Sequence, residues 1–368
     1  MARNHGELRL ARVALGAGEA VLGALAPTIL VDLFPRSWRG RVLGAFCLAL
    51  PLGGALGTAV GGYFAARSSW SQAMFALALP GLIASAAVFL LPDPLRGATE
   101  PVAPERVAEH QKAGPTQEDY IDMMVNSSFT YSVFGMAFFT FAMAGMAAWL
   151  PRFLTVQKGF PIESVWRLGW VTLASSTLGI VLGGWLGDLL SRRSGRAYFM
   201  LSGLAMLGSI PCLIAAVYGG SERVVFGSLF LTVTLMFIHA GPCLAVVANV
   251  VAPNMRGVGY AVALFSVHLF GDLWSPGLMG WVSDTFGRRD AMSTPFGSAL
   301  AAVGAMPKGL PGGPPENLTA AMLVVVPALA LSGGVLLAGA RHLPRESALM
   351  LANLKASPKR KAPARPAR

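Results

Sequence analysis

Nine stretches of this chain are each about 20 residues or more in length and almost wholly apolar: about 10–34, 42–65, 71–91, 128–150, 168–190, 197–218, 224–251, 258–283 and 318–340. Coiled as an α-helix at ~1.5 Å per residue, such a segment matches the roughly 30 Å hydrocarbon core of a bilayer. No water reaches that core to satisfy exposed backbone groups, so the segments must be helices and not open strands. Composition agrees. Charged residues are 13% of the 368 and hydrophobic residues 54%, against roughly 25% charged in a soluble domain. That is too little charge to coat a water-soluble molecule of this size, and too much apolar surface for a disordered one. The sequence therefore predicts an all-α, polytopic membrane protein.

Prolines stand inside several of these segments, at Pro51, Pro80, Pro211, Pro242, Pro276 and Pro327. In a membrane bundle they read as kinks whose freed carbonyls are re-satisfied by neighbouring helices. A polar linker, about 92–127, interrupts the run and carries Glu100, Glu105, Glu109, Glu118, Asp119 and Asp122. The stretch about 286–317 is rich in Gly and Pro, and the region 342–368 ends in KASPKRKAPARPAR, which reads as a basic, disordered tail suited to an anionic leaflet. Lys and Arg are unevenly shared between the two sides: 18 fall on the side of FPRSWRGR and the tail, 10 on the other, and Arg12 lies inside a helix. By the positive-inside rule the C-terminus is cytoplasmic, and with nine helices the N-terminus is outside.

The net charge of +11 is explained by these loops, so nucleic acid is not an expected partner. Cys47, Cys212 and Cys243 lie in apolar stretches without metal-ligand spacing and read as small buried hydrophobes. No metal, no cofactor and no enzymatic constellation is expected: there is no G-x-S-x-G elbow around the one Ser/His/Asp grouping. No signal peptide is apparent.

Two copies of one pattern recur at an offset of 96, GWLGDLLSRR at 184–193 and GWVSDTFGRR at 280–289. The first closes a helix running inward and the second a helix running outward, as in an inverted repeat of three helices each. A second echo pairs Arg39-Gly40 with Arg256-Gly257, matching the first three helices to the last three. By this logic the parent architecture has twelve helices in two halves of six, and the chain opens at the fourth. The expected organisation is a partial N-terminal half at 1–91, a cytoplasmic linker at 92–127, a C-terminal half at 128–341 and the tail at 342–368.

The segment GWLGDLLSRR resembles the loop motif G-x-L-x-D-x-x-G-R-R of the major facilitator superfamily, with Ser191 in place of the last motif glycine. Within that superfamily the chain resembles the spinster-like transporters, through the block from Arg12 to Gly57 that includes GEAVLGALAPTILVDLFP, through TFAMAGMAAWLPRFL at 140–154, and through SVHLFGDLWSPGLMGWVSD at 266–284. The resemblance implies the major facilitator fold with nine of twelve helices present, and secondary transport of amphiphilic substrates by alternating access in a cell membrane. Animal members export lysophospholipids and sphingoid phosphates.

Ionisable groups at membrane depth cost roughly 2.5–3.5 kcal/mol each on the insertion scale and are functional candidates. Arg12 and Glu19 are seven residues apart on one helix and share a face. The resemblance places both in a central cavity, Glu19 in proton coupling and Arg12 against an anionic substrate or a carboxylate; Arg12 also reads as a side chain snorkelling to the surface. His268, Asp272 and Ser275 share another face, as a proton-exchanging pair with a nearby hydroxyl or as a plain interhelical hydrogen-bond cluster. Gly184, Asp188, Arg192 and Arg193 form a gating motif, in which Asp188 pairs with a basic residue or with the positive end of a neighbouring helix. Asp32 and Asp284 read as interfacial charges at helix ends, and His239 as a packed histidine. Two glycine ladders, Gly53, Gly57, Gly61 and Gly179, Gly183, Gly187, suit close helix contacts; the implied fold sets these two helices against each other across the halves. Phe134, Phe138, Phe139, Phe141 and Trp149 lie along one helix, facing an acyl chain or packed against lipid and core.

These residues support a transporter of a lipid-like anion, with protons as a possible coupling ion and membrane lipids as its surroundings. A small-metabolite or drug carrier is the second expectation, and a truncated membrane protein without activity the third.

Overall fold

The computed structural model describes residues 5–67, 70–90, 93–308 and 315–356; the basic segment 357–368 of the expected tail and part of the 286–317 stretch lie outside them. The N-terminal part comprises α1 (His5–Leu33), α2 (Arg39–Cys47), α3 (Ala49–Arg67) and α4 (Trp70–Val88). A connecting region carries α5 (Pro104–Ala113) and α6 (Gln117–Val125). The C-terminal part runs through α7 (Ser127–Arg152), α8 (Glu163–Ser191), α9 (Ala197–Tyr218), α10 (Glu222–Phe237), α11 (Ala240–Val250), α12 (Arg256–Val267) and α13 (Ser275–Thr285). Two short helices, α14 (Arg289–Met292) and α15 (Pro295–Ala302), precede α16 (Leu318–Leu323), α17 (Val325–Gly339) and α18 (Leu343–Lys355).

Among the described residues 8 helical stretches are long and apolar enough to cross a membrane, several of them assembled from two of these helices. The ninth expected span, 71–91, appears as the shorter apolar helix Met74–Val88. Proline explains most of the breaks. Pro51, lacking an N–H, follows the interruption between α2 and α3; Pro242 follows that between α10 and α11; Pro327 follows that between α16 and α17. Pro276 opens α13 after a π-helical turn at His268–Asp272. Pro80 and Pro211, by contrast, lie within continuous helices, as does Pro27 of α1.

Most of the buried core lies in the C-terminal part. Small residues let its helices touch at the backbone. A Cβ on Gly203 would lie 2.9 Å from the Gly333 carbonyl oxygen, and one on Gly333 would lie 3.0 Å from that of Gly203. Ser332 adds a hydrogen bond from α17 to the Gly135 carbonyl of α7 at 2.8 Å. Two seams join the N-terminal part to this body. At one, α1 packs on α12, where a Cβ on Gly23 would meet Leu264; at the other, Gly40 and Gly44 of α2 pack on α8 and α11. Away from the seams α3 and α4 present Leu50, Leu56, Phe75 and Leu82 outward, as a surface bathed in hydrocarbon requires.

The region between the two parts departs from a simple polar linker, because two helices form in it. Thr116 and Asp119 make a reciprocal capping box that starts α6, and Asn126 caps α7. The expected disordered tail is corrected over its first half. Residues Leu343–Lys355 form α18, and its Glu346 accepts hydrogen bonds from the backbone N–H groups of Ser127 and Ser128 at 3.1 and 2.7 Å. A carboxylate at that helix N-terminus satisfies orphan donors and complements the dipole. Leu343, Met350 and Leu354 are buried beneath it.

Candidate functional site

The polar residues at membrane depth fall into two groups. Arg12 and Glu19 are both exposed on α1 and neither enters an ion pair among the described residues. Seven residues at ~1.5 Å each separate them by about 10 Å along the axis, too far for direct pairing of their backbones' neighbours without extended side chains. On the π-helical turn after α12, His268 Nδ1 and Asp272 Oδ2 are 2.8 Å apart, both partly exposed. Ser275 does not join them. It is buried and donates to the Phe141 carbonyl of α7, so the three-residue grouping resolves into an exposed pair and a packing hydroxyl. The Gly23–Leu264 contact sets the depth: Glu19 lies one turn beyond Gly23, and His268 one turn beyond Leu264, counted from the same end of each helix.

At that end the helix termini gather into an arginine-rich face. Asp188, fully buried, lies at the start of α2 and accepts from the Gly40 N–H at 2.8 Å and the Arg41 N–H at 3.0 Å. The Tyr198 hydroxyl donates to it at 2.8 Å and the Arg41 guanidinium stands 3.7 Å away. A carboxylate on α8 thus satisfies the orphan N–H groups that begin a helix of the other part. Glycine permits this approach: a Cβ on Gly184 would lie 2.8 Å from the Gly40 carbonyl oxygen.

Alongside runs a second buried cluster. Glu100, from the connecting region, pairs with both Arg39 and Arg256, whose side chains are almost wholly buried, and Arg36 approaches it at 3.7 Å. Asp32 at the end of α1 accepts from the Gly97 N–H at 2.8 Å and stands 3.3 Å from Arg256. Asn249 at the end of α11 accepts from Arg39 at 2.6 Å and Arg36 at 3.3 Å, and Ser347 of α18 accepts from Arg36 at 2.9 Å. Burial alone would raise the Glu100 carboxyl, but Arg39, Arg256 and Arg36 together outweigh it and hold the group down at about 2.

The family model of the Major Facilitator Superfamily matches residues 4–276. The chain belongs to the major facilitator superfamily. Within it, the chain is 30% identical to Protein spinster homolog 3 of Danio rerio over 293 residues, covering 75% of this chain and 58% of that protein. It is likewise 30% identical to the Sphingosine-1-phosphate transporter SPNS2 of Danio rerio over 300 residues, 76% of this chain and 58% of that one. A solved bacterial homolog of the human lysosomal transporter spinster, in an inward-facing and unoccupied conformation, aligns over 92% of this chain and 76% of its own with a TM-score of 0.56 and 20% identity. The fold is thus that of the superfamily, and the chain spans 58% of the length of both curated relatives.

The superfamily fold does bring the helix of residues 168–190 against α2, but not through the expected ladders. Among the described residues, a Cβ on Gly53, Gly57 or Gly61 would meet nothing within 4 Å. Gly179 and Gly183 face the backbone carbonyls of Thr234 and Ile238 on the neighbouring helix of their own half, and Gly187 faces Pro242 and Tyr198. Pro242, lacking an N–H, leaves the Ile238 carbonyl without its helical partner, and the missing side chain of Gly183 lets the backbone of α8 lie against it. The glycines that do make the cross-half seam are Gly40, Gly44, Gly184 and Gly241. Of the motif arginines, Arg192 borders a cavity shared with Arg36, and Arg193 enters no ion pair among the described residues. The aromatic stripe divides. Phe139 lies against His239 with ring centroids 4.1 Å apart and planes tilted by 49°, Trp149 donates to the Pro276 carbonyl at 2.8 Å, and Phe134 faces outward near Phe270.

Asp32 proves to be a buried partner and not a plain interfacial charge. In the sequence Arg36, Arg39, Glu100 and Arg256 read only as loop charge, linker acid or repeat markers, and Asn249 was not among the candidates. One signal was available: Asp32 precedes Arg39 by seven residues, and Asn249 precedes Arg256 by the same seven. In each half this spacing joins the end of one helix to the start of the next and aims both side chains at one point.

Proposed function

We propose that this chain serves a secondary transporter that carries a lipid-like, anionic amphiphile across a cell membrane by alternating access. The observation that carries the reading is the arginine-rich face. There the two halves are joined by hydrogen bonds and ion pairs among Asp188, Gly40, Arg41, Glu100, Arg39 and Arg256, contacts that can be remade in water, unlike a continuous apolar interface. A carrier that opens to alternate sides needs a junction of that kind at each end of its path. Gly184, Asp188, Arg192 and Arg193 act in this reading as the gate, with the face and the C-terminus cytoplasmic in accord with the 18-to-10 bias of Lys and Arg.

The similarity to a protein named as a sphingosine-1-phosphate transporter supports a substrate with one anionic head and an acyl-like tail. Arg12 is the basic group for the head. Glu19 at membrane depth, with the His268–Asp272 pair at a like level, is the route for protons. The test is uptake into proteoliposomes of a sphingoid phosphate or lysophospholipid against an imposed proton gradient. Arg12→Ala should weaken uptake of the anionic substrate roughly tenfold or more while sparing a neutral analogue, the scale of one charge-assisted contact. Glu19→Gln should flatten the pH dependence at unchanged substrate binding. A Glu19→Gln protein that keeps the wild-type pH profile removes Glu19 from the coupling role.

A further inference from the structure

Beside the buried cluster lies a cavity of about 450 Å³ walled by both halves and by the last helix. Arg36 enters from the start of the N-terminal seam, Ser191 and Arg192 from the end of α8, Asn249 from the end of α11 and Ser347 from α18; among the described residues no carboxylate lines it. The charges around it do not balance. Three guanidinium groups, Arg36, Arg39 and Arg256, face two carboxylates, Asp32 and Glu100. Glu100 serves all three arginines, and its contact with Arg36 is the longest at 3.7 Å. Asp188, the remaining acid nearby, is engaged by Gly40, Arg41 and Tyr198. Arg36 is therefore the member left with positive charge in excess, and it is the one at the cavity wall. Arg192, across the cavity on the other half, has no acidic partner among the described residues.

We propose that this cavity binds a phosphate-type oxyanion, held between Arg36 of one half and Arg192 of the other. Arg36 is half-buried and shares its one carboxylate, Glu100, with two closer arginines; a half-buried cation so under-compensated is costly, and guanidinium forks match tetrahedral oxyanions through paired N–H donors. The Ser347 hydroxyl already accepts from Arg36 at 2.9 Å, which leaves its own proton to donate to the anion. The same chemistry is offered by free phosphate and by the headgroup of an anionic phospholipid. Either would neutralise the excess charge and add a tie across the seam. The inference does not rest on the transport reading, since binding is measured without turnover.

The experiment uses the full chain, purified in detergent and stripped of lipid, with the thermal unfolding midpoint as readout. Inorganic phosphate is titrated against chloride at matched ionic strength. In a second arm the protein is placed in nanodiscs of phosphatidylcholine with or without phosphatidylglycerol. Arg192→Gln removes one arm of the site. Arg193→Gln removes the same charge from a neighbouring side chain that does not line the cavity. Ser347→Ala removes the hydroxyl and its contact with Arg36 while leaving the ion pairs of Glu100 with Arg39 and Arg256 in place. A saturable rise with phosphate that weakens roughly tenfold or more in Arg192→Gln, several-fold in Ser347→Ala and not in Arg193→Gln supports the site with free phosphate as ligand. The same pattern of variants seen only with phosphatidylglycerol supports it with a headgroup as ligand. An effect absent from both arms, or lost equally in Arg193→Gln, overturns it.

Discussion

Glu100 is the single side chain on which the arginine-rich face most depends, since it neutralises Arg39 and Arg256 at once. Its carboxyl is held at about 2, below the 4.5 of an ordinary glutamate. A depressed acid stabilises the folded state fully above its unfolded value and ceases to do so as pH falls through its folded value. The contribution should thus be constant above about pH 4.5 and vanish between about 4.5 and 2. Removing one partner of a buried ion pair costs ~3–5 kcal/mol, so Glu100→Gln should lower the unfolding midpoint markedly at neutral pH. Its difference from wild type should shrink across that acid window; a difference that persists at pH 2 would show that something other than the charge is lost. Little of this was legible in the sequence, because Glu100 sits among six other linker acids, Asp93, Glu105, Glu109, Glu118, Asp119 and Asp122, with nothing local to distinguish it. Its role is set by arginines 61 and 156 residues away, a separation that hydrophobic period and motif spacing do not report. Asp188 was legible for the opposite reason: its partners are the backbone N–H groups that any helix start provides.

Helices were readable as elements because length and apolarity alone dictate a span, and the prolines marked most of the points where a span divides. The faces of those helices were harder to read. Gly53, Gly57, Gly61 and Gly179, Gly183, Gly187 have identical spacing, and spacing says which residues share a face but not what lies opposite. Opposite Gly183 is the Ile238 carbonyl; opposite Gly53 no described residue comes within 4 Å. The two should therefore respond in contrary ways to the same substitution. Gly183→Ala would drive a methyl into backbone that cannot rotate away, at a cost of ~1–3 kcal/mol. Gly53→Ala adds a helix-favouring residue in open space and should be neutral or stabilising by up to ~1 kcal/mol. Unfolding in mild detergent with increasing denaturant checks both, and equal behaviour of the pair would contradict the packing described here. The same reasoning separates Gly40 and Gly44, which carry the seam, from the rest of the glycines in their span.

At the scale of the whole molecule, the N-terminal part touches the C-terminal body along two seams that both run out from the arginine-rich face. The alternating access proposed above requires that face to open while the opposite end closes, so under that proposal a covalent tie across either seam should hold the molecule in one state. Gly44 and Ile180 offer the place: a Cβ on Gly44 would lie 3.5 Å from Cγ2 of Ile180, so side chains at the two positions touch, the first condition for a disulfide to close. With Cys47, Cys212 and Cys243 replaced by serine or alanine, Gly44→Cys combined with Ile180→Cys should cross-link under mild oxidation. The locked protein should lose turnover, and reduction should restore it. Ligand binding from the far side should survive, since the tie leaves that end untouched. Asp188→Asn in the unlocked background should act in the contrary sense, because an amide attracts the Gly40 and Arg41 N–H groups less strongly than a carboxylate. It should raise the accessibility of a reporter cysteine on the seam to a membrane-impermeant thiol reagent several-fold. If the cross-linked protein transports as fast as the reduced one, the seam between α2 and α8 is static packing, and the hinge of the molecule lies elsewhere.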